Sequence, residues 1–541
     1  MSGLLGLLLQ INWMFAHGPQ LWWLRLPGGL IGGWLAARGL IWLWARFSGR
    51  AFWPGWAGVG RRLAGRRAVG LLAAGCLMFC YLASMGGHFY SFDSWFRFLT
   101  TKAIVDRGEL IIDPIPGRLR PLYSKTGILQ PLAAIPLYLI SKALPPDIDP
   151  PMDLKGPVKP DELMASTLHQ FTTPLIALVL YLTLLDWGYA RRVALATMLT
   201  FGLATIAWPY ARYHLAEPGL ALCLMIAVWQ LLRFRLRLKG RHLFWSGLAI
   251  GLGASNTTMF LVVPMPLIGL YVAWLLWPRR AGVCTSWPQA IRLALCWAGP
   301  IFVAGLWVLW FNWFRYGSPF LTGYEGDRGF PNFIYDGRAG FSLAAWIGVH
   351  GLLFSPGKSV FLFSPPLMAA LLYLRGFFVR RRAEATLICL LCLGWLLFYA
   401  KWWAWHGDIA WGPRYMVPVT CLAMLPLAQA FKLWNKRGPL FKAALLGVIA
   451  FGLVVQGLGM AQHFELQFSA IVGENQKNMP LLHYIPHYSP VMGNYRMLVM
   501  GATPDFYLLG KPLGLALSLA ALLCGGLAWL GASVRRPGEP S

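Results

Sequence analysis

The stretch AEPGLALCLMIAVWQLLRFRLRLKGR, residues 216–241, carries the pattern on which the fold turns. An apolar run reaches Leu232 and gives way at once to Arg233, Arg235, Arg237, Lys239 and Arg241. About 20 apolar residues at helical rise cross the hydrocarbon of a bilayer, which is about 30 Å thick. Lys and Arg collect in the short loops on the cytoplasmic side. Working outward, comparable apolar runs lie at 69–88, 166–186, 193–210, 216–232, 243–257, 259–277, 289–312, 359–375, 384–401, 413–431, 440–460 and 511–531. Between them sit Arg191-Arg192, Arg279-Arg280, Arg380-Arg381-Arg382, Lys432, Lys436, Arg437 and Arg535-Arg536. With Arg61, Arg62, Arg66 and Arg67 inside, every one of these clusters falls on the cytoplasmic face. The expected fold is therefore an all-α integral membrane protein. Residues 61–541 form one transmembrane domain of about twelve helices at that span length.

Composition agrees. The 541 residues are 57% hydrophobic and 12% charged, with mean hydropathy +0.55, against about 25% charged in soluble domains. The 28 tryptophans and 15% aromatic content suit a chain with two headgroup-level belts. A net charge of +27, from 47 Lys and Arg against 20 Asp and Glu, would also suit phosphate neutralisation on nucleic acid. The basic residues are confined to connections between apolar runs, so membrane lipids, and no nucleic acid, are the expected partners. Nine cysteines are scattered, nearly all within apolar runs. Cys389 and Cys392 have redox-motif spacing without a neighbouring His or acid, and read as small buried hydrophobes.

This topology leaves four sizeable segments outside: Phe89–Ala165, Trp313–Lys358, Lys401–Gly412 and Ala461–Gly510. Gly127–Leu144 is apolar but holds Pro131 and Pro136. Counting it as a span would send Arg191-Arg192 and all later clusters outside, so it reads as a re-entrant or surface-lying helical segment. The acidic, proline-rich DIDPPMDLKGPVKPDE (147–162) reads as a solvated loop. Residues 1–60 have neither a basic n-region nor a small-residue cleavage site, so no cleaved leader is expected. Trp22–Trp44 is apolar but contains Arg25 and Arg38, and no function is assigned to it.

Acids are nearly absent from the spans, with Asp186, Glu217 and Glu384 only at their ends. A proton- or sodium-coupled transporter needs such groups near the midplane, which weighs against a transporter or flippase. Polar residues gather instead at the outer rim. Asp93, in His88-Phe-Tyr-Ser-Phe-Asp-Ser-Trp95, is a candidate general base; the same position suits an N-cap for a helix over 94–107. Arg118, Arg120 and Lys125, in Tyr123-Ser-Lys-Thr-Gly127, suit a bound phosphate or lipid headgroups. Arg212, His214 and Glu217 crowd one aromatic turn, although Glu217 also suits an ordinary helix start. In Lys401-Trp-Trp-Ala-Trp-His-Gly-Asp408 and Trp411-Gly-Pro-Arg-Tyr415, an interfacial belt accounts for the tryptophans. It does not account for His406, Asp408 and Arg414, and aromatic rings among such groups make sugar platforms. Gly357-Lys358-Ser359 is not a P-loop, because that motif needs glycine where Leu352 stands.

Five pieces in order resemble the bacterial GT-C superfamily of polyprenyl-phosphate-sugar-dependent glycosyltransferases, the group of the lipid A aminoarabinose transferases and protein O-mannosyltransferases. They are Asp93 after the first span, Tyr-Ser-Lys-Thr-Gly-Ile-Leu-Gln-Pro at 123–131, Trp-Pro-Tyr-Ala-Arg with Ala-Glu-Pro at 208–218, Phe-Ser-Pro-Gly-Lys at 354–358, and the two tryptophan-rich pieces ending at Tyr415. The resemblance implies a GT-C-like bundle with juxtamembrane helices over 94–144. It also implies inverting transfer to an acceptor hydroxyl on the periplasmic or extracellular face of the membrane, in a bacterial cytoplasmic (inner) membrane. In that scheme Asp93 is the base and Glu217 a supporting acid. Lys125, Arg212, Lys358 and Arg414 hold the donor phosphate, and Tyr123, His214, Trp405, His406 and Asp408 meet sugar or acceptor. Parts of the superfamily use a divalent metal; no ligand set presents itself here and none is expected. Two departures concern the sugar and acceptor: Ser94 stands where relatives often have a second acid, and Ser255-Asn-Thr-Thr258 where many carry an arginine before a proline. An oligosaccharide polymerase or ligase is the alternative, kept open by His463, His483, His487 and Arg496 in the last outside segment.

Overall fold

A computed structural model describes residues 65–113, 122–145, 158–278, 283–325, 340–407, 409–473 and 478–533. Residues 1–60, Arg118, Arg120 and Asp408 lie outside these.

In chain order the helices are α1 (Arg66–Ala83), α2 (Phe92–Arg107), α3 (Leu129–Ser141), α4 (Pro160–Ser166), α5 (Leu168–Asp186), α6 (Arg191–Ala204), α7 (Ala207–Tyr210), α8 (Ala216–Arg237), α9 (Gly240–Asn256), α10 (Met259–Val262), α11 (Pro264–Leu276), α12 (Trp287–Tyr316), α13 (Ala345–Phe354), α14 (Val360–Phe363), α15 (Pro366–Leu372), α16 (Leu374–Arg380), α17 (Arg382–Ala400), α18 (Val417–Ala423), α19 (Leu427–Lys432), α20 (Pro439–Ala461), α21 (Glu465–Ile471), α22 (Met479–Tyr484), α23 (Pro490–Val499) and α24 (Pro512–Ser533). A short antiparallel ribbon, β1 (Ile111–Asp113) with β2 (Leu122–Tyr123), interrupts the helices within the first long loop.

Among the described residues nine helical segments are long and apolar enough to cross a membrane: Arg66–Ala83, Pro160–Asp186, Ala216–Arg237, Met259–Leu276, Trp287–Tyr316, Arg382–Ala400, Arg414–Lys436, Pro439–Ala461 and Pro512–Ser533. The protein is a multi-pass membrane protein. Each of the nine coincides with an expected span. The other three expected spans are helical but shorter or broken. The run at 193–210 stops at Thr205 before the single turn of α7, and 243–257 is the 17 residues of α9. The run at 359–375 divides into α14, α15 and α16 around Pro365 and Tyr373.

The Gly127–Leu144 stretch forms α3, 13 residues with Pro136 inside. It lies against α2 and α4 rather than crossing alone. Thr101 donates to the Pro131 carbonyl at 3.0 Å, and Tyr138 and Lys142 reach Asp106 at 2.6 and 2.5 Å. The helix α2 is capped by Ser91, whose hydroxyl accepts from the Ser94 amide, and closes at Gly108 in the left-handed region, as helix ends favour. Asp93 thus sits in the first turn and is not the cap.

The interior is built around α8, which packs on α5, α9 and α18. Gly247 lets α9 meet α12 backbone to backbone, because a Cβ there would strike the Trp297 carbonyl. The basic ends gather at one pole. Arg235 pairs with Glu384 at 2.5 Å, Arg233 with Asp186 at 3.4 Å, Arg381 donates to the Trp187 carbonyl at 2.8 Å, and Arg191 to that of Gly531 at 3.1 Å. Glu217, at the other end of the 22-residue α8, lies about 30 Å away at helical rise.

Candidate active site

Three chain segments meet at that far pole. The first turn of α2 brings Asp93, the first turn of α8 brings Glu217, and the short 3-10 turn that precedes α18 brings Arg414. Arg414 joins the two acids. Its Nε donates to Glu217 Oε1 at 2.6 Å and its Nη2 to Asp93 Oδ2 at 2.7 Å. The side chains of Arg414 and Glu217 are 8% and 6% exposed, whereas Asp93 keeps 38%. The two acids are therefore held differently: Glu217 is sunk behind the guanidinium, while Asp93 is partly exposed. Tyr399 and Tyr415 stack at 4.2 Å, and the Arg414 guanidinium lies 5.7 Å from the Tyr415 ring centre.

A second guanidinium, Arg97, lies one helical turn after Asp93 and is 4% exposed. Among the described residues its Nε and Nη1 have no hydrogen-bond partner, and neither has Glu217 Oε2. A charge in that position is costly without a counter-charge, and Asp93 and Glu217 supply it through space. Burial works against the charged form of Asp93, but Arg414, then Arg97, the Arg414 hydrogen bond and Lys125 outweigh it and hold the carboxyl below its ordinary value. Among the described residues, Arg97, Arg414 and Lys125 set three cations against the carboxylates of Asp93 and Glu217. Such a site favours an anionic ligand.

Lys125 follows β2 in a tight loop, with Nζ 5.0 Å from the Tyr324 ring centre. Tyr123 sits in the ribbon opposite Ile111, its ring against Phe314 at 6.3 Å. His214 is buried beside Phe89 at 5.4 Å and His169 at 6.0 Å. Burial, then His169 and Arg97, push the His214 imidazole well below its ordinary value, so it stands there neutral.

Other residues singled out by sequence stand elsewhere. Arg212 donates to the carbonyls of Met460, Asp505 and Gly459 at 2.8, 3.1 and 3.2 Å and faces the Asp505 carboxylate at 3.6 Å. Asp505 also meets His88 Nε2 and the Tyr90 hydroxyl, each at 2.9 Å. This cluster braces the outer ends of α1, α7 and α20. Lys358 is buried and donates to the Ala410 carbonyl at 2.7 Å. Beside it His406 packs on His483 at 4.8 Å, and Trp405, fully buried, lies 5.5 Å from the same ring. Burial comes first, then Lys358, in depressing the His406 imidazole. Lys358 thus ties the turn at 354–358 to Ala410, and Trp405 and His406 pack on His483, whose carbonyl accepts from the Gly357 amide at 3.0 Å.

Arg97, Tyr324, Arg315 and Asp505 did not stand out in the sequence. Arg97 had a usable signal, since residues four apart share a helix face; the others reach their places through long-range contacts.

Below the centre, α3, α5, α8 and α9 line an open groove of about 350 Å³. Its walls are almost wholly apolar, among them Leu129, Ala133, Leu168, Leu222, Ile226 and Leu252, with Gln130, His169, Thr172 and Asn256 as polar side chains. Among the described residues no three His, Cys, Asp or Glu side chains come together in a way that could hold a metal ion.

No family model and no curated protein matches this chain. Solved structures do resemble it. ArnT from Cupriavidus metallidurans in the apo state shares 13% identity at TM-score 0.47, covering 84% of this chain and 74% of that one. ArnT bound to undecaprenyl phosphate gives 14% and 0.42, covering 88% and 77%. The Archaeoglobus fulgidus oligosaccharyltransferase in its apo form gives 12% and 0.45, covering 80% of this chain and 63% of that chain.

Proposed function

We propose that this protein is a glycosyltransferase that moves a sugar from a polyprenyl-phosphate-linked donor to an acceptor hydroxyl. The reaction takes place at the outer face of a bacterial cytoplasmic membrane. The observation that carries the reading is the Asp93–Arg414–Glu217 bridge, with Arg97 and Lys125 beside it, at the end of the bundle opposite the basic clusters. The apolar groove beneath the centre supports a lipid-borne donor: the prenyl chain stays among α3, α8 and α9 while its phosphate reaches the cations.

In this reading Asp93 is the base. Its partial exposure lets it meet a hydroxyl coming from the aqueous side, and its low pKa keeps it ionised. The acceptor oxygen attacks the anomeric carbon and its proton passes to the Asp93 carboxylate. The bond from that carbon to the phosphate oxygen breaks, and the electron pair leaves with polyprenyl phosphate. One displacement inverts the anomeric centre. Negative charge grows on the departing phosphate, and Lys125 with the two guanidiniums, fixed in a partly dry site, stabilises it. Glu217 orients Arg414, and through it Asp93. Arg212, Lys358, Trp405 and His406 keep the surrounding loops in place in this scheme, and Tyr123 and His214 wall the centre.

The test is incubation of the purified protein in lipid with a panel of polyprenyl-phosphate sugars and a hydroxyl acceptor mixture. Release of polyprenyl phosphate by the native protein, and none by Asp93→Asn, is expected. Full release by Asp93→Asn would show that another group is the base; transport of donor without release would replace the enzyme with a flippase.

A further inference from the structure

Lys125 owes its place to a residue far away in sequence. Arg315, in the last turn of α12, donates from Nη1 to the carbonyls of Ser124 and Thr126, at 2.6 and 3.1 Å. These carbonyls belong to the two residues that flank Lys125. Its Nη2 donates to Asn312 Oδ1 at 2.9 Å and its Nε to the Phe311 carbonyl at 3.4 Å, while the guanidinium lies 4.0 Å from the Phe311 ring centre. The adjacent Tyr316 hydroxyl also reaches the Ser124 carbonyl, at 3.4 Å. Within the loop the hydroxyls of Ser124 and Thr126 meet at 2.7 Å. On the opposite side Gly127 lies flat against the end of α9, where a Cβ would collide with the carbonyls of Ser255 and Asn256. The loop is thus pressed between α9 and α12, with its backbone acceptors held by one planar fork.

We infer that Arg315 is a positioning residue that holds the 124–127 loop and thereby sets where the Lys125 ammonium stands. This rests on the reading that Lys125 meets the donor phosphate. The guanidinium is spent on protein acceptors in four directions, which is the arrangement of an anchor. The planar guanidinium reaches the carbonyls of Ser124 and Thr126 through Nη1 and the Asn312 side-chain oxygen through Nη2 at the same time; an ammonium concentrates its charge at one point. Placement matters because a misplacement of about 1 Å in a group acting on the transition state costs about 100-fold in rate.

The experiment uses the full chain in lipid nanodiscs, as native protein and as Arg315→Ala, Arg315→Lys, Lys125→Ala and the double Arg315→Ala/Lys125→Ala. Amide exchange over residues 122–127 is read without substrate, and polyprenyl phosphate release is read with it. Arg315→Ala should quicken exchange in that loop while α8 and α17 keep their protection. It should lower kcat about 10- to 100-fold, and Arg315→Lys should not restore it. The double variant should be no slower than Lys125→Ala alone. Unchanged exchange in Arg315→Ala overturns the inference. Multiplied losses in the double variant overturn it too, and would place Arg315 on the substrate itself. If the native protein releases nothing from any donor, the reading of function fails, and the exchange measurement still decides whether Arg315 clamps the loop.

Discussion

Arg414 Nε lies 2.6 Å from Glu217 Oε1, across 197 residues of sequence, with both side chains less than a tenth exposed. Each of these charges is tolerable only because the other is there. Removing one partner of such a pair leaves a buried, uncompensated ion and costs about 3–5 kcal/mol.

Arg414→Ala should therefore lower stability by about that amount, read as a fall in the thermal unfolding temperature of the protein in lipid. Combining it with Glu217→Ala should cost less than the sum of the two single changes. Strict additivity would show that the bridge contributes nothing as a pair.

Asp93→Asn keeps a carbonyl oxygen for Arg414 and removes the base. Transfer should fall at least 100-fold, the order expected of general-base catalysis, with a smaller loss of unfolding temperature than Arg414→Ala, because Glu217 still faces both guanidiniums. A matching collapse of stability would make Asp93 a structural residue instead.

The acid limb of the rate reports on the same carboxyl. Burial opposes its charge, and Arg414 and Arg97 reverse the balance and hold its pKa low. Rate should thus be sustained at pH above the usual carboxylate range and fall only as pH drops through the depressed value. Arg414→Gln removes the largest favourable contribution, so the limb should move to higher pH. A pH–rate profile measured on residual activity checks this; an unmoved limb would detach Arg414 from the ionisation of Asp93.

Asp505 supplies a separate pH effect on stability. Burial would raise it, but His88 and its hydrogen bond, then Arg212 and His463, bring it down to about 2. A folded-state value below the ordinary one stabilises the folded form above that ordinary value, on the order of 2 kcal/mol at neutral pH. The contribution is lost as pH falls through about 4 towards about 2. Asp505→Asn should lower the unfolding temperature at pH 7 and leave it nearly level with the native protein near pH 2.

The groove makes a prediction about the donor. Ala133 lines it and is itself exposed, so Ala133→Trp can fill the groove without disturbing packed core. KM for a long-chain donor should rise about 10-fold, consistent with about 1.4 kcal/mol of lost binding, with kcat retained. A variant with native KM would place the prenyl chain elsewhere.

Much of this architecture is legible in sequence because the bilayer imposes a one-dimensional rule. A helix must keep its apolar length in lipid, and cations mark one side. Runs such as 216–232 and 440–460 therefore appear at α8 and α20 with bounds shifted by a few residues. The rule weakens where proline or protein contacts intervene: 359–375 breaks into three short helices, and α3 stays short because α2 and α4 shelter it. At the site, sequence identified Asp93, Glu217, Arg414 and Lys125 as polar groups unusual for their surroundings. It could not show that Arg414 joins both acids, because that depends on the ends of three helices meeting. Nor could it separate those four from Arg212, Lys358 and His406, which look equally unusual in the linear chain. Local pattern sets which residues leave the membrane at a given end. Which of them then face one another is decided by long-range packing, where a guanidinium takes whichever carboxylate or carbonyl the assembled helices bring within reach.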